Sequence, residues 1–254
     1  MPSSSRPALP RRPSYFALSR APRYSVLFAL PLLVAYESLA AILARPGRGE
    51  LRNGADVMLR TAFTAVAGQR GPTVFMAVMI LVGVFFVARD LRSNKGGLRA
   101  IVFGGMLLES TVLAGAFGLV IGLATARLLG SLHVLMIAQG GIRGMPLSTR
   151  LMLSLGAGLY EELFFRVLLV GGLAFAGRTL LGLGTRAAGV IAVIIGAIVF
   201  SAFHYIGPFG DPFELQSFTF RMLSGLAFSG LYLLRGFGVT AWTHALYDSF
   251  LLVL

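Results

Sequence analysis

The chain alternates between long, uninterrupted apolar stretches and short polar segments rich in glycine, proline and arginine. A helix needs about 20 apolar residues to cross a hydrocarbon layer of about 30 Å, so these stretches have the length of membrane-spanning helices. Because they are continuous rather than alternating, they do not fit a membrane β-barrel. The pattern predicts an all-α, polytopic bundle of transmembrane helices. The apolar stretches lie at about 24–44, 72–88, 98–127, 151–176, 188–206, 217–234 and 236–254.

One segment leaves the number of spans open at seven or eight. Residues 98–139 are too long for one helix, which leaves two alternatives. One is a single span followed by a re-entrant or surface piece around 134–138, and the other is two spans broken near 115–118. A further amphipathic stripe predicts a helix near 55–69 that lies along the membrane surface. The stripe consists of Met58, Leu59, Ala62, Phe63 and Val66.

The polar ends of the apolar stretches divide the chain into three parts. Residues 1–23 are rich in serine, proline and arginine and predict a disordered basic tail, which the positive-inside rule places on the cytoplasmic side. The apolar stretch behind this tail is too long for a signal peptide. Residues 24–150 hold N-terminal helices of unassigned role, and residues 151–254 hold a C-terminal core. The distribution of arginines slightly favours seven spans, which would place this core's site on the outer side.

The charge balance first suggests nucleic-acid binding, because the chain has 22 basic and only 10 acidic residues and therefore a net charge of +12. However, only 13% of the residues are charged, against about 25% in soluble domains. Only one basic residue is a lysine, Lys95, and the arginines stand between apolar stretches. Nucleic-acid binding is therefore not expected, and the absence of cysteine excludes a disulfide scaffold. A carboxylate inside an apolar stretch costs free energy when it enters the membrane, so its presence there indicates a functional role.

The first polar cluster inside an apolar stretch is Glu161-Glu162-Leu-Phe-Phe-Arg166. Glu162 and Arg166 are four residues apart with the acid first, which is the favoured order for an ion pair on one helix face. One helical position is about 100°, so Glu161 points away from this pair and is free to face another helix.

Two further clusters contain two of the chain's three histidines. His204 lies near the end of the stretch 188–206, whereas His244 and Asp248 share one face of the last stretch. Lipid offers polar groups no partners, so the three clusters are expected to converge. A carboxylate beside imidazoles in a dry site is the arrangement expected of a general base.

The order Glu-Glu-x-x-x-Arg, Phe-x-x-x-His and His-x-x-x-Asp, each in an apolar stretch, resembles the CPBP family of intramembrane proteases. This family is also called the CAAX-processing and bacteriocin-processing, or Abi, family. The resemblance runs from Glu161 to Asp248. It implies that residues 151–254 form an intramembrane protease core that hydrolyses a peptide bond near the C-terminus of a membrane-associated or lipidated protein.

The resemblance also implies a role for each matching residue. Glu161 would activate the attacking water, and His204 would hold or polarise it. Glu162 and Arg166 would brace the first helix of the site.

The last motif would stabilise the oxyanion of the tetrahedral intermediate through His244 and the residue four positions later. That residue is Asp248, where many relatives have asparagine. An ionised aspartate cannot donate a hydrogen bond to an oxyanion. Asp248 would therefore orient His244 and keep it protonated, or bind a metal.

The sequence leaves metal dependence open, and we expect that the protein uses no cofactor. If a metal is used, Glu161, His204 and His244, together with Asp248, would supply nitrogen and oxygen ligands to a zinc with an open position. The sequence contains no His-Glu-x-x-His, in which two ligands share one helix turn.

The expected partners are a membrane-anchored protein or peptide substrate and the lipid bilayer, but no nucleic acid. The expected location is multi-pass in the inner or plasma membrane of a bacterial or archaeal cell. Two other functions remain: a non-catalytic scaffold or immunity factor of the same fold, and a proton-coupled transporter. A transporter predicts that Glu37 and Glu109, the other acids in apolar stretches, matter as much as Glu161; otherwise they bond helices together.

Overall fold

The structure is a computed structural model that describes residues 13–44, 50–94, 96–130, 144–207 and 210–251. Within these residues every regular element is helical, which confirms the all-α prediction. The first half contains α1 (Tyr15–Arg20), α2 (Pro22–Leu43), α3 (Gly54–Ala67), α4 (Gly71–Ser93) and α5 (Ala100–Leu129), with a short 3₁₀ turn at Gly68–Arg70. The second half contains α6 (Leu147–Gly156), a π-helical segment (Ala157–Val170), α7 (Gly171–Thr179), α8 (Thr185–Phe203), α9 (Leu215–Arg235) and α10 (Phe237–Leu251).

Four helical stretches among the described residues are long and apolar enough to cross a membrane, against the seven or eight spans predicted. The predicted stretch 151–176 is divided among α6, the π-helical segment and α7, and α10 has only 15 described residues. In α9, serines and arginines interrupt the apolar residues. The helical membrane bundle is thus confirmed, while the spans beyond four stay predictions. The four stretches are Pro22–Leu43, Gly54–Ser93, Ala100–Leu129 and Thr185–Phe203.

The predicted break near 115–118 is wrong, because α5 is a single helix of 30 residues. A glycine in a helix costs only about 1 kcal/mol relative to alanine, so two of them among apolar residues do not end it. The other alternative, a separate piece around 134–138, lies outside the described residues.

Helical structure begins inside the predicted N-terminal tail. Ser14 caps α1 by accepting a hydrogen bond from the backbone of Ala17, and Arg23 at the start of α2 is buried against Asp90. The prediction of disorder up to residue 23 is therefore wrong for residues 15–23, whereas residues 1–12 lie outside the described part. The reason is that Arg23 finds a buried acidic partner on α4, which its position in the sequence does not indicate.

The helix predicted near 55–69 is present as α3. Its Ala55, Asp56 and Leu59 are buried, while Val66 at its end is 91% exposed. α3 packs against α4 and against the π-helical segment. Its predicted position along the membrane surface stays a prediction.

The π-helical segment contacts helices from both halves of the chain. It packs against α3, α8 and α10, and α10 also packs against α2 and α5. Close approach depends on glycines: a Cβ at Gly158 would collide with the backbone of Ala241 and with Ala245 on α10, and a Cβ at Gly156 would collide with the Tyr36 ring. The segment that bears Glu161 is thus closely packed against α2 and α10, and this packing positions the site.

Candidate active site

The first cluster of predicted site residues lies on the π-helical segment. The backbone N–H of Gly171, just behind the segment, donates to the carbonyl of Arg166, five residues earlier. π-Helical turns are rare and frequently occur at functional sites, since the wider turn changes where side chains point. Hydrophobic periodicity did not reveal this departure from an α-helix.

Glu161 is buried, with 8% of its surface exposed, and one of its oxygens is bound by a residue of the N-terminal half. Its Oε1 accepts a hydrogen bond of 2.8 Å from Nδ2 of Asn53. Its Oε2 has no hydrogen-bond partner among the described residues. Asn53 was missed by the sequence reasoning, because an asparagine before a helix reads only as an N-cap.

His204 follows α8, and its ring nitrogens have different surroundings. Nδ1 lies 2.9 Å from the carbonyl oxygen of Phe200. Because a carbonyl can only accept, this bond assigns the proton to Nδ1 and leaves a lone pair on Nε2 of the neutral ring. The ring of Phe200 lies beside both imidazoles, with its centroid 5.0 Å from that of His204 and 6.3 Å from that of His244, and the charge of Glu161 is close enough to act on both. The structure therefore brings these three side chains into one site.

Glu162 connects the π-helical segment to α10. Its Oε1 accepts a hydrogen bond of 2.6 Å from Nδ1 of His244, and its Oε2 lies 3.2 Å from Nε of Arg166. The ion pair between Glu162 and Arg166 is thus present as the spacing predicted. The bond to His244 was not predicted, because helical spacing gives no information on contacts between distant segments.

His244 lies between two carboxylates and against an aromatic ring. Its Nε2 is 3.6 Å from Oδ2 of Asp248, an ion-pair distance longer than a hydrogen bond. Its imidazole stacks on Phe228 with ring centroids 4.4 Å apart. The ring is therefore fixed in orientation, and its Nε2 edge is directed toward the less buried Asp248.

Arg166 is buried and held mainly by its charge. Its guanidinium lies 4.5 Å from the centroid of the Phe200 ring and 5.8 Å from that of Phe228. None of its three nitrogens has a hydrogen bond of good geometry among the described residues. Cation–π attraction and the charge of Glu162 are its compensation for burial.

The connection after His204 is anchored to α9. Asp211 pairs with Arg221 at 2.5 Å, and its backbone N–H donates to the carbonyl of His204. Arg221 also lies 5.3 Å from the centroid of the Tyr205 ring. These bonds fix the chain on both sides of the short gap in the described residues.

Glu37 and Glu109 bond helices together. Glu37 on α2 accepts hydrogen bonds from Tyr160 at 2.7 Å and from Arg60 at 2.8 Å. Glu109 on α5 accepts one of 2.6 Å from Tyr15 and pairs with Arg235 of α9. Both carboxylates are thus occupied by partners on other helices.

The residues proposed as zinc ligands do not fit a zinc ion in this arrangement. No group of three or more histidine, aspartate and glutamate side chains within the described residues has positions that could hold a metal. Oε1 of Glu161, Nδ1 of His204 and Nδ1 of His244 are bonded to protein atoms, so that only Oε2 of Glu161 and the Nε2 atoms of the two rings are left to face another group.

The fold and the site define a class: a helical membrane protein with carboxylates and imidazoles in a buried cluster. Residues 143–250 match the family model described as Type II CAAX prenyl endopeptidase Rce1-like. The match contains all three motifs, confirms the resemblance to the CAAX-processing proteases and points to an intramembrane protease. A search of the curated proteins and a search of the solved structures found no match. Together with the four apolar helical stretches, the family match indicates an integral membrane protein.

Proposed function

We propose that the protein is an intramembrane endopeptidase that hydrolyses a peptide bond near the C-terminus of a membrane-associated or lipidated protein. The observation that carries this proposal is the state of Glu161. It is buried, one oxygen is fixed by Asn53, and the other has no partner within the described residues, in the same site as His204. A carboxylate in this state can accept a proton from a water molecule that His204 holds.

The first step uses the free oxygen of Glu161. Oε2 takes a proton from the water while Nε2 of His204 accepts a hydrogen bond from the same water. The water oxygen attacks the scissile carbonyl carbon and forms a tetrahedral intermediate. When the carbon–nitrogen bond breaks, Glu161 returns the proton to the leaving amine, so that the hydrolysis is balanced.

The developing oxyanion is stabilised from α10. Nδ1–H of His244 is directed to Glu162, and the carboxylates of Glu162 and Asp248 on either side of the ring favour its protonated form. In that form Nε2–H can donate to the oxyanion. One such donor contributes about 3 kcal/mol to catalysis. Glu162 and Arg166 hold His244 in place, and their role in the reaction is support.

No metal enters this mechanism. This rests on the geometry of the described residues, among which no group of three or more histidine, aspartate and glutamate side chains is placed to hold a metal. We therefore expect cleavage to persist in a chelator, and loss of activity that added zinc restores would overturn this part of the proposal.

The proposal is tested with Glu161→Gln and His204→Ala, which are expected to abolish cleavage while the protein still accumulates in the membrane. Glu109→Gln is the matched control, because it removes a carboxylate outside the site. Comparison of the C-termini of membrane-anchored proteins in cells that carry wild type or Glu161→Gln would identify the substrate. Full activity of both site variants toward a verified substrate would overturn the mechanism.

The same variants separate the other two functions. A scaffold or immunity factor would keep its function after the substitution Glu161→Gln. A proton-coupled transporter would lose as much with Glu109→Gln as with Glu161→Gln, but the bonds of Glu109 to Tyr15 and Arg235 favour a role in joining helices.

A further inference from the structure

Asn53 lies outside the family match, in the connection between α2 and α3, yet it contacts the central carboxylate of the site. It is buried, with 6% of its surface exposed. Its backbone N–H donates to the hydroxyl of Tyr36, and its Oδ1 accepts from the backbone N–H of Ala55. Since the Ala55 N–H needs an acceptor, Oδ1 must face it, and the NH₂ group must face Glu161. These two hydrogen bonds fix the orientation of the Asn53 amide.

A network of charges holds the segment around Asn53. The hydroxyl of Tyr36 donates to Asp56 at 2.9 Å, and Asp56 is fully buried. Asp56 also pairs with Arg52 at 3.0 Å and with Arg60 at 2.6 Å. The start of α3 is therefore tied to α2 immediately beside Asn53.

The same network reaches the π-helical segment next to Glu161. Arg52 and Arg60 both pair with Glu37, and Glu37 accepts a hydrogen bond from Tyr160, the residue before Glu161. Glu161 is thus held through its side chain by Asn53 and through its backbone neighbour by Tyr160. Both attachments lead to the N-terminal half of the chain.

We propose that Asn53 is a positioning residue of the hydrolytic site, and that the network around it makes the N-terminal half a part of that site. The amide N–H fixes Oε1 of Glu161 and favours the charged carboxylate, which leaves Oε2 directed at the water. A hydrogen bond to a charged acceptor is about twice as strong as one between neutral groups. This inference rests on the proposed function, because it assumes that Glu161 accepts the proton.

The test compares Asn53→Asp with Asn94→Asp. Aspartate is as good an N-cap as asparagine, so Asn53→Asp keeps the cap of α3 but replaces the donor to Glu161 by a like charge. Asn94 is the control, since its Nδ2 likewise donates to a carboxylate, Oδ1 of Asp90 at 2.7 Å, and its partners Asp90 and Arg23 are not site residues. Unlike Asn53, it is exposed. Both variants are assayed as full-length protein in the membrane, with activity expressed per amount of folded protein.

Asn53→Asp is expected to lower kcat by about tenfold or more with little change in KM, while Asn94→Asp stays near wild type. The acid limb of the activity profile should also move to higher pH, because the charged form of Glu161 loses a donor and gains a like charge. A purely structural role would not move this limb. The other charged groups that act on Glu161 include Arg166, His204, His244 and Asp248, and all of them are unchanged in the variants.

Two further variants keep the inference testable if Asn53→Asp folds poorly. Asn53→Ser retains a capping hydroxyl that is too short to reach Glu161, and should move the pH profile in the same direction. Tyr36→Phe removes the hydroxyl between Asn53 and Asp56 and should give a smaller change of the same sign. A wild-type pH profile in folded Asn53→Asp or Asn53→Ser would overturn the inference. If Glu161→Gln is fully active, the proposed function itself fails, which is a different result.

Discussion

At the scale of single residues, Glu162 and Arg166 are the most constrained pair of the site. Their side chains are 0% and 1% exposed, and Glu162 also binds His244. Removal of one partner from a buried ion pair leaves an unpaired charge, which costs about 3–5 kcal/mol. Their contacts explain why these charges are tolerated: Glu162 orients His244, and Arg166 balances the charge of Glu162.

Asp248 is the residue at which this chain departs from the pattern of many relatives. Its carboxylate lies on the open side of His244, with 29% of the side chain exposed, and not within hydrogen-bond distance of it. An amide in this position would add a hydrogen-bond donor beside Nε2 of His244, which an ionised carboxylate does not.

We predict that Asp248→Asn keeps or raises kcat, because the amide adds a donor beside His244. Asp248→Ala should lower kcat, since it offers neither a donor nor a charge that orients the imidazole. Steady-state cleavage rates of both variants, at matched protein levels, check this prediction. A loss in Asp248→Asn as large as in Asp248→Ala would show that the carboxylate itself is required.

At the scale of elements, the junction of the π-helical segment with α10 determines the site. The bond between Glu162 and His244 crosses this junction, and Gly158 allows the two backbones to approach. The family motifs contain the polar residues, whereas Gly158 allows the two backbones to come close enough for those residues to bond.

Gly158→Ala is expected to push α10 away from the π-helical segment, because its Cβ would meet the carbonyl of Ala241 and the atoms of Ala245. Overpacking of this kind costs about 1–3 kcal/mol. We predict lower thermal stability and lower activity per folded protein, measured together. Gly172→Ala is the matched control, since its Cβ would meet nothing within 4 Å, and it should be neutral or slightly stabilising. Equal behaviour of the two variants would contradict the role given to Gly158.

At the scale of the whole molecule, the side of the membrane that the site faces depends on the number of spans. Four stretches qualify by length and composition, and the seven or eight spans stay a prediction. Several polar residues of α9, among them Ser217, Arg221 and Ser224, are buried, and buried polar residues lower the hydropathy of a helix whether or not it crosses the membrane.

The absence of cysteine makes the topology directly measurable. Single cysteines at Ser3→Cys and Leu254→Cys can be labelled with a membrane-impermeant maleimide in intact cells and in opened membranes. Seven spans predict that the two ends lie on opposite sides, with residue 3 labelled only after opening. Labelling of both positions on the same side would establish an even number of spans.

Much of the fold and half of the site followed from local patterns in the sequence. Continuous apolar stretches predicted the helical bundle, the four-residue spacing predicted the pair of Glu162 with Arg166, and the three motifs predicted convergence. The break near 115–118 failed because a helix tolerates isolated glycines when their neighbours favour it. The helical stretches, the ion pair and the failed break concern interactions within one helix, for which spacing along the chain is the relevant distance. The convergence of the motifs followed instead from the lack of partners for polar groups in lipid.

The sequence by itself determined that this chain is a helical membrane protein with three polar clusters, because apolar length and buried charge have local costs. Only the tertiary structure decided which polar groups meet. It joined Glu162 to His244 across 82 positions of the chain and Asn53 to Glu161 across 108. Such contacts depend on how separate helices pack, and packing is determined by the shapes of many side chains together. For that reason the N-terminal half, which carries no motif, contributes the hydrogen-bond donor Asn53 to the carboxylate of Glu161.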